Sequence, residues 1–202
     1  MSDASFLLAA APADGWIGRW SPGIGDPTAL GWLATLGYAA AARWCWVAMQ
    51  TLRRDASPSV PQQRESGAWL ALTLLLAALG VNKQLDLQGA LTELGRMVAF
   101  SGGWYEQRRT VQLAFVICVA LAGAGAAATA LWASRRASPP LRVAIAGAVA
   151  LLGFVVVRAA SFEHFALTER EIAGIPVESF AELAGIATTL AAALWHERLR
   201  GG

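Results

Sequence analysis

The chain has 202 residues, of which 56% are hydrophobic and only 15% are charged. Polar material this scarce cannot cover a water-soluble globule of this size, which excludes a soluble protein and favours one all-α bundle in a membrane. The net charge of +2 comes without a basic block or interleaved basic and aromatic residues, which excludes nucleic acid as a partner.

The sequence predicts one membrane domain over residues 1–202, with about five transmembrane helices. Residues 1–27 form an N-terminal surface arm, because Pro12, Asp14 and Gly15 break its apolar patch before it can cross a bilayer. Each later apolar run approaches the roughly 20 residues that a crossing requires. The predicted spans are 29–49, 67–83, 110–133, 142–162 and 179–195.

Between the second and third spans, residues 84–100 are predicted to form an amphipathic helix. Leu87, Leu91, Leu94 and Val98 fall on one stripe at helical spacing, and polar residues project away from it. Because spans flank it, this helix is expected to lie flat on the bilayer surface. Its leucine stripe would then rest in the lipid or on the bundle.

Two residues of the first predicted helix are informative. Thr28 follows the turn sequence SPGIGDP and is predicted to cap the helix. Arg43 lies inside the span, and its long side chain is expected to snorkel to the nearer surface beside Trp44 and Trp46.

Six residues predicted near one face of the membrane combine positive charge with aromatic rings. Guanidinium groups bind phosphate in a bidentate manner, and aromatic rings sit at headgroup depth, so these residues predict an anionic headgroup site. The alternative is that they only anchor the helix ends. They are Lys83, Trp104, Tyr105, Arg108, Arg109 and Arg158.

Arg158 is also predicted to form a structural ion pair with Glu182, because a guanidinium below the membrane surface needs a counter-charge. Glu163 and His164 are the candidate catalytic residues for acid–base chemistry, although adjacent helical residues point about 100° apart and do not form a chelate. Metal-ligand spacing, paired haem-binding histidines and phosphate-binding loops do not occur in the sequence, so no metal site is predicted and the cofactor stays unknown.

Three strings, NKQLDLQ at residues 82–88, GWYEQRR at 103–109 and RAASFEH at 158–164, resemble patterns of uncharacterised bacterial multi-spanning membrane proteins. The resemblance implies a protein of the bacterial cytoplasmic membrane. It implies no activity and no functional residue.

These observations favour a membrane protein that binds a lipid or quinone headgroup, or that serves as an accessory subunit of a membrane complex. The alternative is a membrane-embedded enzyme acting on a lipid-borne substrate, and a small transporter ranks third. The expected partners are membrane lipids, and the alternatives are other membrane subunits or further copies of the chain.

The sequence also predicts an orientation. Five spans place the termini on opposite sides, and the arginine-rich loops at 53–64 and 135–142 belong in the cytoplasm. The N-terminus is therefore expected outside and the C-terminus inside. A reporter fused after Arg200 should be active only in the cytoplasm, and activity confined to the periplasm would reverse the orientation.

Overall fold

The computed structural model describes residues 15–55, 57, 59–101, 108–160, 171–172 and 175–201. These residues confirm the all-α class, with only a two-residue antiparallel pairing between β1 (Glu171–Ile172) and β2 (Ile175–Pro176). A 3-10 turn, Ser134–Arg136, joins two of the helices. The helices are α1 (Ala29–Arg53), α2 (Val60–Leu85), α3 (Leu87–Ser101), α4 (Arg108–Ala133), α5 (Pro139–Ala160) and α6 (Val177–Gly201).

Side-chain caps set where the first two helices begin. The Thr28 hydroxyl accepts a hydrogen bond from the Gly31 N–H at 3.0 Å, which confirms the predicted cap of α1. Ser59 and Gln62 form a reciprocal capping box at the start of α2. Residues 60–64, part of the arginine-rich loop expected at 53–64, are therefore helical, and α2 begins before the predicted span 67–83.

Helix α1 lies at the centre and packs against both α2 and α6. Its buried residues recur at alternating spacings of four and three, which is the seam of a helix packed in the coiled-coil manner. Small side chains in the seam shorten the distance to neighbouring helices. The seam consists of Ala34, Tyr38, Ala41, Cys45, Ala48 and Leu52.

The contact between α5 and α6 depends on two glycines. A Cβ atom at Gly185 would lie 2.5 Å from Cγ of Leu151, and one at Gly147 would lie 2.8 Å from Oγ1 of Thr189. Neither position has room for a side chain, so glycine allows the two backbones to approach. Helix α4 packs against α5.

By length and composition, two helices are able to cross a membrane: Val60–Leu85 and Ile117–Arg136. The five long helices occupy the places of the five predicted spans, but five crossings stay a prediction. The leucine stripe of α3 does not pack onto the bundle, since Leu87, Leu91 and Leu94 are all exposed.

Replacing Gly185 with Val should lower the free energy of unfolding by about 1–3 kcal/mol, the usual cost of overpacking a close contact. Thermal unfolding in detergent would measure the loss. Gly123→Ala on α4 is the control, because a Cβ there meets no atom within 4 Å. This control should be neutral or slightly stabilising, since alanine favours helix over glycine. A similar loss in both variants would contradict the packing account.

Candidate functional site

The helix α2 ends at a tight bend that directs α3 away from it. Asp86 adopts the left-handed conformation, with φ of 46°, and its N–H donates to the Asn82 carbonyl. Aspartate tolerates this conformation because its short side chain bonds to the local backbone. Here Oδ1 accepts from the Gly89 N–H at 3.3 Å, in the first turn of α3.

Residues 15–27, the N-terminal strap, cover the end of α2. The last carbonyls of a helix have no partner within it. The Gly25 N–H donates to the Gln84 carbonyl at 2.6 Å, and the Trp20 indole N–H donates to the Leu85 carbonyl at 3.2 Å. A Cβ at Gly25 would lie 3.0 Å from the Gln84 oxygen, so glycine permits the close approach. These two hydrogen bonds hold the strap over the end of α2, and they place Asp26, the residue after Gly25, above that helix.

A buried ammonium group joins the strap to the bundle. Nζ of Lys83 on α2 lies 3.0 Å from Oδ2 of Asp26 and 2.9 Å from Oε2 of Glu182 on α6. The hydroxyl of Tyr38 on α1 donates to Oε1 of Glu182 at 3.1 Å. The side chains of Lys83 and Glu182 are only 11% and 7% exposed. This network, Asp26–Lys83–Glu182–Tyr38, connects four parts of the chain.

The network satisfies the charges that it buries. An isolated charge taken out of water is costly, and each charged group here has at least one partner of opposite sign. Burial acts to raise the pKa of Asp26, but hydrogen bonds from Thr28 and Lys83 and the Lys83 charge outweigh it. The net effect is a pKa below the usual aspartate value, so Asp26 is anionic at neutral pH.

Beside the network lies an open cleft of about 80 Å³. It contains three carboxylates against a single ammonium, which leaves two negative charges in excess. A small cation or a hydrogen-bond donor therefore suits the cleft better than a bare anion does. The lining residues are Gly25, Asp26, Tyr38, Leu79, Asn82, Lys83, Asp86, Phe154, Val155 and Glu182.

Of the residues predicted to bind a ligand, Lys83 lies in the cleft, already paired with two carboxylates. Arg108 and Arg109 begin α4, and Arg158 lies one turn beyond Phe154 on α5, but their side chains are outside the described part of the chain. The residues Trp104, Tyr105, Glu163 and His164 also lie outside the described ranges.

Glu182 was expected to pair with Arg158. Its two carboxylate oxygens instead take Tyr38 and Lys83 as partners, and a further bond from Arg158 stays a prediction. Sequence reasoning missed Tyr38 and Asp26. The available signal for Tyr38 was its place as the one tyrosine in the apolar first helix, since the chain has only two.

A second polar cluster lies at the opposite end of the bundle. The rings of Trp69 and His196, both buried, have centroids 5.3 Å apart, and the Glu65 carboxylate accepts from the Ser138 N–H at 2.6 Å. Within the described ranges, no three His, Cys, Asp or Glu residues are grouped to hold a metal ion. Among the described residues, this end of the bundle therefore has a ring contact and a hydrogen bond but no group of metal ligands.

Replacing Lys83 with Met should lower the free energy of unfolding by about 3 kcal/mol, because it leaves the buried Glu182 carboxylate without its cation. The double variant with Glu182→Gln should recover much of that loss, since both charges are then gone. Thermal unfolding in detergent would measure each variant, with Arg64→Met at an exposed site of α2 as the neutral control. Strictly additive losses for Lys83 and Glu182 would mean that the pair does not act as a unit.

Comparisons of the chain with protein families, with curated proteins and with solved structures gave no match. The function of the cleft is therefore inferred from the chain's own residues.

Proposed function

We propose that this chain is a multi-pass membrane protein of the bacterial cytoplasmic membrane, and that its polar cleft binds a lipid headgroup. The observation that carries the membrane assignment is the apolar exterior of the helices. Leu74 and Leu121, near the middle of α2 and α4, are 62% and 68% exposed, and Leu152 of α5 is exposed as well. Water would make this surface unfavourable, whereas lipid chains cover it without cost.

Exposed aromatic residues near the helix ends support the same proposal. Trp132 and Trp195 lie near the arginine-rich ends of α4 and α6, and Trp32 and Phe180 lie near the opposite end of the bundle. Tryptophan is enriched at both boundaries between membrane and water. All five long helices would then cross, in the predicted orientation.

The exposed stripe of α3 supports a location of the cleft near the membrane surface. An amphipathic helix whose apolar face lacks a partner in the bundle suits the boundary between headgroups and acyl chains. Since α3 begins directly after Asp86, which lines the cleft, the cleft would lie at headgroup depth. A headgroup could enter it without leaving the bilayer.

Charge selects the kind of headgroup. The excess of carboxylates over Lys83 favours an ammonium group, and Arg108, Arg109 and Arg158, which the sequence predicts at the same face of the membrane, would bind the phosphate. A headgroup that carries both charges, such as phosphatidylethanolamine, satisfies both requirements. A quinone offers no positive group to the carboxylates and is the weaker candidate.

The test uses lipid nanodiscs that contain equal amounts of phosphatidylethanolamine and phosphatidylglycerol. Native mass spectrometry should find phosphatidylethanolamine retained over phosphatidylglycerol. Asp86→Asn should weaken this preference by about tenfold, since a hydrogen bond to a charged group contributes about 1.5 kcal/mol or more. Asparagine tolerates the left-handed backbone of residue 86, so the fold is preserved.

Asp55→Asn is the matched control, because Asp55 is an exposed aspartate at the opposite end of the bundle. It should leave the lipid preference unchanged. Preferential retention of phosphatidylglycerol, or an Asp86→Asn variant that behaves like the parent chain, would refute the proposed headgroup.

A further inference from the structure

One face of α1 points away from the bundle between residues 32 and 46. After the adjacent pair Trp32 and Leu33, its exposed residues recur every three or four positions, which defines a continuous outer stripe. Every residue of this stripe is apolar except Arg43. The stripe consists of Trp32, Leu33, Leu36, Ala39, Arg43 and Trp46.

The pairing of α1 with α2 gives the depth of Arg43. Thr35 bonds to Gln84, and Tyr38 lies against Gly80, so the two helices run antiparallel and Arg43 is level with about residue 75. The polar residues that bound the apolar part of α2 are Ser66 at one end and Lys83 at the other. Arg43 is therefore level with the middle of that apolar part.

The pairing of α1 with α6 gives the same depth independently. Tyr38 bonds to Glu182, and Thr51 bonds to Glu197 at 2.9 Å, so these helices run parallel and Arg43 is level with about residue 188. That position is midway between the two glutamates. Both neighbours thus place Arg43 near the centre of the apolar layer.

Arg43 has no counter-charge in the described part of the chain, where no salt bridge or hydrogen bond engages its side chain. An arginine near the end of a helix can extend its side chain to the membrane surface. Arg43 is ten residues from Arg53, the last residue of α1, which is about 15 Å along the helix axis. The sequence-based expectation that Arg43 snorkels is therefore not supported by its depth. A carboxylate beside the guanidinium would offset the cost of an arginine at this depth.

We propose that the outer stripe of α1 docks a transmembrane helix of another protein, and that this helix carries an Asp or Glu at mid-membrane depth opposite Arg43. The inference rests on the proposed membrane location. It identifies the chain as a subunit of a membrane complex, with a charge pair that selects the partner.

A second copy of the chain does not meet this requirement. In the five long helices, no acidic residue lies between the level of Lys83 and Glu182 and the level of Glu65 and Glu197. A two-fold contact through the stripe would also bring Arg43 towards its own copy, which adds repulsion. The partner must therefore be a different chain.

The test is photo-cross-linking in cells from a benzophenone amino acid at position 39, one turn from Arg43 on the same stripe. Position 121, on the exposed face of α4, is the control site. We expect an adduct from position 39 with one membrane protein whose spanning segment contains Asp or Glu. Arg43→Leu should reduce its yield at least about tenfold, and Arg43→Lys should retain it, while Arg53→Leu at the exposed end of α1 should have no effect.

A charge exchange completes the test: Arg43→Glu combined with Arg in place of the partner's acid should restore the adduct. Adducts only with phospholipid, adducts with a second copy, or a yield unaffected by Arg43→Leu would each overturn the inference. Extraction at alkaline pH separates the two proposals. Release of the chain from membranes would overturn the membrane location itself, whereas a retained chain without the adduct would overturn only the partner.

Discussion

The end of the bundle that contains the cleft depends on the placement of the Lys83 ammonium between Asp26 and Glu182. The two carboxylates come from opposite ends of the sequence, and each brings a separate element to α2. Removing an ammonium from water is costly, and pairing only compensates for that cost, so such a pair is weak evidence for added stability. Its stronger consequence is geometric. With Lys83 fixed, the strap, α1 and α6 are each held in the register that pairs the Lys83 ammonium with Asp26 and the Glu182 carboxylate with Lys83 and Tyr38.

Sequence reasoning was sufficient for features that depend on one segment at a time. Hydropathy located the long helices, local chemistry identified Thr28 as a cap, and helical spacing found the stripe of α3. The choice of partner for Glu182 was different. Lys83 and Arg158 both lie near its predicted depth, and depth alone cannot distinguish two cations on different helices. The distinction requires the register between helices, which the seam of α1 determines through packing.

Asp26 illustrates the same limit at shorter range. Its neighbourhood, rich in proline and glycine, predicted a break in regular structure, and residues 21–28 are irregular backbone with bends. That this segment folds back over α2 depends on the approach of Gly25 to the Gln84 carbonyl, a contact between segments almost sixty residues apart. A sequence pattern gives no such distance. The excess of negative charge in the cleft is visible only once Asp26 is placed, and the proposal of a zwitterionic headgroup in place of an anionic one rests on it.

One physical rule connects the inside and the outside of α1. Inside, Tyr38 contributes to a network in which every charge has a partner. Outside, Arg43 has no partner among the described residues, and in the proposed membrane location it would lie at mid-depth, where an arginine costs about 2.5–3.5 kcal/mol even on the most lenient insertion scale. Lys83 has two carboxylate partners. The same physical reason, that a cation out of water is stabilised by a nearby carboxylate, applies to Arg43. The simplest physical interpretation is that the described bundle is one side of an interface, and that the missing carboxylate belongs to the protein on the other side.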